Sequence, residues 1–244
     1  MAEWLYVGSW LFLLGSFLGV VLEAAWEVLV ERPRRFEPRA GVLYLPLNPL
    51  YGAAAVAGSF ALAPLAASPG LVFLAGALGF SALEYVASLV LERAFGSVFW
   101  DYSDRPLNLQ GRICAEFAIY WGLLALVLVY LADPALRGLI ARIPRPAGDV
   151  LAVLLVVLTV AAAVATTIGF ARLRERIARL LAGRDTTDRS GWERVADVVA
   201  PPAAVLAAFP RMNLSARYRR LLADSSVQRR RAHRARRRPG RIGA

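Results

Sequence analysis

Five runs of this chain are too long and too apolar to sit in water, and they limit the fold more than anything else in it. Residues 4–22 are nineteen positions without a charged side chain, enough to cross the roughly 30 Å hydrocarbon layer of a bilayer as a helix. Residues 50–66, 71–91, 113–131 and 150–171 read the same way, with Glu84 and Glu116 the only charged residues in them. Lipid offers no partner to a bare backbone N–H or C=O, so each run closes its own hydrogen bonds as a helix. The expected fold class is all-α: a polytopic membrane helix bundle of about five transmembrane helices. The first run lacks the positive start of a secretory signal and carries Glu3 instead, so it reads as a retained helix.

Charge is distributed unevenly. All 29 basic residues are arginine. Residues 1–171 hold 10 Arg against 12 acids, whereas residues 172–244 hold 19 Arg against 6 acids. Three regions follow: a transmembrane domain over 1–171, juxtamembrane and interfacial helical segments over 172–224, and an arginine-rich tail over 225–244. The tail is too poor in apolar residues to form a core, so disorder is expected there. Membrane lipids are the expected partner, with anionic headgroups attracted to the tail. Nucleic acid is a weaker reading, since no folded recognition module is visible.

Arginines also set the expected orientation. With the amino end outside, the inner segments 31–45, 92–112 and the tail carry four, three and nineteen arginines, against three across both outer segments. The expected location is the cell inner membrane, with the N-terminus outside and the C-terminus cytoplasmic.

That topology gathers ionisable groups at one depth. Glu23 and Glu27 lie near the inner end of the first run, Glu84 and Glu92 near that of the third, and Arg112 and Glu116 at the inner start of the fourth. Glu84, Ser88 and Glu92 share one helical stripe. Residues 41–52 (GVLYLPLNPLYG), bent by Pro46 and Pro49, bring Tyr44, Asn48 and Tyr51 to the same side, and a loop brings Asp101 and Asn108. The candidate ligand-binding residues are Glu23, Glu84, Asp101, Asn108 and Arg112, supported by Glu27, Glu92, Glu116, Tyr44, Asn48 and Tyr51. Acids and Asn act as acceptors; Arg112 acts as an anion clamp or internal counter-ion. Each also has a plainer reading: the acids as helix-locking partners of Arg112 or Arg39, Asn108 as a helix cap, and Trp100, Tyr102, Tyr120 and Trp121 as an interfacial aromatic belt.

Several chemistries are excluded by count. One cysteine, Cys114, and one histidine, His233, rule out an intrachain disulfide and a Cys/His zinc site, and leave the membrane part without a histidine for a Ser–His–Asp triad. No metal site and no cofactor is expected, and no catalytic residue is assigned. A chain without lysine has no P-loop lysine, so any ATP hydrolysis belongs to a separate subunit.

The stretch WDYSDRPLNLQGRIC, followed by an aromatic segment ending in Trp121-Gly122, resembles the putative ABC-transporter type IV permease family, CmpB-like integral membrane proteins. Trp100, Asp101, Tyr102, Ser103, Pro106, Asn108, Gly111 and Arg112 match its pattern in order. Glu84-Tyr85 with Glu92, and Glu23 late in the first helix, match as well, as do Gly41, Leu43, Tyr44, Pro46, Pro49, Tyr51 and Gly52. Leu45 stands where the family has glycine, Asn48 where it has cysteine, and Ala40 where it has arginine. The resemblance covers roughly residues 8–134 and implies a membrane permease. It leads to a transporter subunit without its own ATPase, working with a separate ATPase subunit, and leaves a homo-oligomer open. Two other classes stay beside it: a membrane-embedded enzyme acting on lipid, with Glu84 or Asp101 as general base, and a non-catalytic scaffold with a recruiting tail.

Overall fold

The computed structural model describes residues 1–31, 41–182 and 190–209. Arg39, the basic segment 217–223 and the tail 225–244 lie outside them. Helix α1, Glu3–Trp26, continues through a wider π turn, Glu27–Glu31. Then come α2, Pro49–Ala61; α3, Pro69–Phe95; two short strands, β1 Asn108–Leu109 and β2 Ile113–Cys114; and α4, Ala115–Val127. Next are α5, Asp133–Ile140, α6, Arg145–Leu181, α7, Gly191–Val199, and α8, Pro202–Ala208.

Among the described residues, four helical stretches are long and apolar enough to cross a membrane: Glu3–Val30, Pro69–Phe95, Ala115–Ile140 and Arg145–Leu181. The second expected span differs. Two prolines cut α2 to 13 residues, about 20 Å at 1.5 Å per residue. Pro49 occupies the first helical position, and the residue before a proline is pushed away from helical geometry. At the other end Pro64 breaks the helix into the 3-10 turn Ala63–Leu65. Asn48 caps α2, its Oδ1 accepting the Leu50 N–H at 3.1 Å.

Antiparallel pairs build the bundle. A Cβ placed on Gly15 would lie 2.5 Å from that of Ala55, and one on Gly19 would lie 2.4 Å from the Tyr51 ring. This four-residue glycine spacing lets the α1 and α2 backbones approach. In the α3–α4 pair Gly76 faces Ala125 just as closely, at 2.1 Å. Val72, Phe80, Trp121 and Ala125 join Ala54 and Ala55 of α2, and Leu62 just past its end, in a shared core. Pro134 has no N–H to return to the preceding turn, and the helix opens into a π turn at Leu128–Ala132 just before it. Past that turn α5 brings Ile140 onto Tyr6, Trp10, Leu11 and Ala152.

The two ends of the bundle differ. At the terminal end the Met1 amine lies 3.9 Å from Asp149, Arg145 pairs with Glu3, and the Tyr130 hydroxyl donates to the Ala66 carbonyl at 2.8 Å. The polar end gathers the close of α1, residues 41–48, the end of α3 and the strand-bearing loop. There the Leu43 N–H donates to Thr166 Oγ1 on α6 at 2.8 Å. Leu43 joins Phe170, Leu173, Ile177, Ala200, Val205 and Phe209 in a second core.

Beyond that core α6 runs on as an arginine-rich extension, and α7 is tied to it by charge. Arg172 Nη1 donates to Glu193 Oε1 at 2.9 Å, and Arg176 donates to Asp197 at 2.6 Å. Arg179 pairs with Glu193 and Glu175. The start of α7 is a capping box in which Ser190 and Glu193 satisfy each other's backbone N–H.

Candidate functional site at the polar end

Glu84 is the centre. It lies in the apolar part of α3 and is only 4% exposed. Trp121 Nε1, from α4, donates to Glu84 Oε2 at 2.8 Å. The Tyr102 hydroxyl, from the loop, donates to Oε1 at 3.0 Å. Both oxygens of a nearly dry carboxylate are therefore held by neutral donors. Burial, and then the charge of Glu84, push the Tyr102 phenol well above its usual range, so this hydroxyl remains a donor.

The loop that carries Tyr102 is shaped by its own polar side chains. Asp101 Oδ1 accepts from the Ser103 hydroxyl at 2.5 Å and from the Ser103 N–H at 2.9 Å. Those two donors hold the Asp101 carboxyl below the usual range. Asn108 Nδ2 donates to the carbonyls of Ser103, at 3.2 Å, and Arg105, at 2.8 Å, and its Oδ1 accepts the Gly111 N–H at 3.0 Å. Gly111 has φ +68, and a Cβ there would lie 2.7 Å from Asp101 Oδ1, so this turn needs glycine. The strands then pair antiparallel, Asn108 with Cys114 and Leu109 with Ile113.

This turn aims Arg112 at α3. Its Nη1 donates to Ser88 Oγ at 3.0 Å, and its Nη2 pairs with Glu92. The Tyr85 ring lies 6.0 Å from the guanidinium, and the Arg112 carbonyl accepts from Trp100 Nε1 at 3.0 Å. Glu116, four residues on, instead takes Arg105 at 2.9 Å.

Glu23 accepts from Asn48 Nδ2 at 3.1 Å. Three residues further on, the Tyr51 ring packs on Trp121 at 5.6 Å. Trp26 reaches Phe117 and Tyr120 at 6.2 and 5.2 Å, and Phe117 stacks on Tyr102 at 4.6 Å. Rings from α1, α2, α4 and the loop thus wall Glu84. Glu27 is buried on the turn following α1. Tyr44 stands apart: its backbone is left-handed, φ 67, and its hydroxyl donates to the Val199 carbonyl of α7 at 2.8 Å.

Glu84 and the Ser88–Glu92 seat of Arg112 therefore share one stripe of α3, with Ser88 one turn from Glu84. Glu23 bonds Asn48, which stands three residues before Tyr51, whose ring packs on the Trp121 that donates to Glu84. Asp101 and Asn108 are engaged in building the loop. Sequence reasoning took Tyr102 and Trp121 as belt residues and missed them as donors. A lone acid in an apolar run was the available signal, since it demands donors at its own depth. No group of three or more His, Cys, Asp or Glu side chains arranged to hold a metal lies among the described residues.

Long apolar helices packed in antiparallel pairs, with a buried acid near one end, define a multi-pass helical membrane protein. A family model, putative ABC-transporter type IV, matches residues 10–167, and the chain belongs to that family. The match runs past the expected limit of residue 134 and takes in most of the apolar part of α6. No curated protein and no solved structure matches the chain.

Proposed function

We propose that this protein is the membrane subunit of a transporter whose ATPase is a separate chain, and that the polar end binds a small polar ligand or a lipid headgroup. The observation that carries the reading is Glu84. A carboxylate held only by Tyr102 and Trp121 among the described contacts can exchange either donor for a ligand's hydroxyl or ammonium group. Arg112, one turn further along, supplies the cation for a ligand's anionic part. Glu23 and Asn48 provide acceptors across the aromatic wall, and the loop shaped by Asp101 and Asn108 covers the site. Intramembrane ionisable groups are functional candidates by default; membership of an ABC-transporter-type family supports transport as that function.

Native mass spectrometry of the full chain in nanodiscs tests the site. A co-purifying small molecule or lipid is expected on the parent protein and lost from Glu84→Gln and Arg112→Ala. Retention by both variants, each still folded, refutes the assignment. Affinity capture from the native membrane is expected to bring down an ATPase subunit.

The proposed orientation places the amino end outside, because the segments rich in arginine then stay inside. In a Cys114→Ala background, Ser68→Cys should react with an impermeant maleimide added to intact cells, and Leu107→Cys should not. The reverse pattern refutes the orientation.

A further inference from the structure

Helix α7 carries its polarity the wrong way round for a helix in water. The positions turned toward α6 are Glu193 and Asp197, which meet its arginines, with Ala196 buried between them. The outward positions are Trp192, 63% exposed, Val195, 56%, Val198, 81%, and Val199, 41%. Spacings of three and four residues place these four on one face. Burying a side chain of this kind is worth about 1.5–3 kcal/mol, and an apolar patch of this size marks a contact surface.

Its location identifies what covers it. Gly169 faces Ala200 and Val205, and Tyr44 holds the Val199 carbonyl. The last turn of α7 therefore stands at the height where the uncharged run of α6 gives way to Arg172. The outward flank of that run, Val157, Val160 and Val164, faces lipid and leads up to the same height. A bilayer around α6 ends there, and its headgroup layer is the setting tryptophan favours. Arg194, on α7, is exposed and makes no ion pair among the described residues.

We propose that α7 is a membrane-surface anchor that packs antiparallel alongside the end of α6. Its Trp192–Val195–Val198 face lies in the headgroup layer beside α6, with Arg194 meeting lipid phosphates. The occupant is a phospholipid surface, because the last turn of α7 stands at the level where the lipid-facing run of α6 ends. The inference rests on the multi-pass membrane fold alone and holds for either orientation of the chain.

The test uses the full chain with Cys114→Ala and a nitroxide at Val195→Cys or, separately, Val198→Cys. Both positions are exposed, so neither label disturbs the fold. The protein is placed in nanodiscs of phosphatidylethanolamine and phosphatidylglycerol. Collision rates with oxygen and with a water-soluble nickel chelate are compared with those of lipids labelled at known depths. The expected result places both labels about 5–10 Å below the headgroup–water boundary, as for an interfacial helix. Collision rates equal to those of free aqueous nitroxide at both positions overturn the proposal. So does a label that is wet in nanodiscs and shielded in native membranes, which points to a protein partner.

Discussion

Two regions of this molecule bury acids, and they do it by opposite means. Around Glu84 the partners are dipoles: an indole N–H and a phenol, held by packed rings. On the α6 extension the partners are ions, with Arg172, Arg176 and Arg179 set against Glu175, Glu193 and Asp197. Charge pairing stabilises a docked helix but fixes it, because removing one member strands the others. Dipoles leave the carboxylate more exchangeable, since a neutral donor to a charged group contributes about 1.5–3 kcal/mol, less than the ~3–5 lost when a buried ion pair is broken. Fixed charge therefore belongs to architecture here, and the exchangeable acid is where the ligand reading belongs.

The sharpest way to break the contrast is Arg172→Ala. It should cost about 2–3 kcal/mol of α7 docking, below the ~3–5 of an isolated buried pair because Arg176 and Arg179 remain. Faster trypsin cleavage after Arg194 would report it. Glu84→Gln comes next, at about 1–2 kcal/mol, because one donor would then face an NH2 group; the thermal midpoint in detergent measures it. Trp121→Phe should cost about 1.5 kcal/mol, the low end for a hydrogen bond to a charged group, and combined with Glu84→Gln should cost less than the sum, since the pair interacts. If the two losses simply add, the hydrogen bond carries no coupling.

The smallest effect is that of pH on α7. The Ser190 backbone N–H, and then Arg172, draw the Glu193 carboxyl down to about 2, below the ordinary value near 4.3. A depressed folded value means that docking is fully supported above the unfolded value and is lost as pH falls through the folded one. Trypsin is inactive in that range, so pepsin sensitivity of the 190–209 segment should be flat down to about pH 4 and rise toward pH 2. A rise already at pH 6 would mean that other groups hold the helix.

The long helices were legible because an uncharged run of nineteen residues has few alternatives. The shortness of α2 was harder to see. Its composition matches a span, and only the positions of Pro49 and Pro64 limit it. In the site, the Glu84–Ser88–Glu92 stripe follows from helical spacing alone. The identity of its partners does not, because Trp121 meets Glu84 only through the register of α3 against α4, which Gly76 and Ala125 set by close approach. Arg112 was expected as an anion clamp or as the counter-ion of a helix acid. The left-handed Gln110 and Gly111 turn it to Glu92, a choice made by loop geometry that spacing does not encode.

The amide of Leu43 finds its acceptor on Thr166, 123 residues later in the chain. During synthesis the α1–α2 hairpin leaves the ribosome long before that threonine exists. Residues 41–48 thus have to wait, unfinished, until the last long helix has been inserted. Chains that stop short of α6 would carry this stretch open to water or to quality-control proteases. Completion of the polar end is thereby tied to completion of the polypeptide.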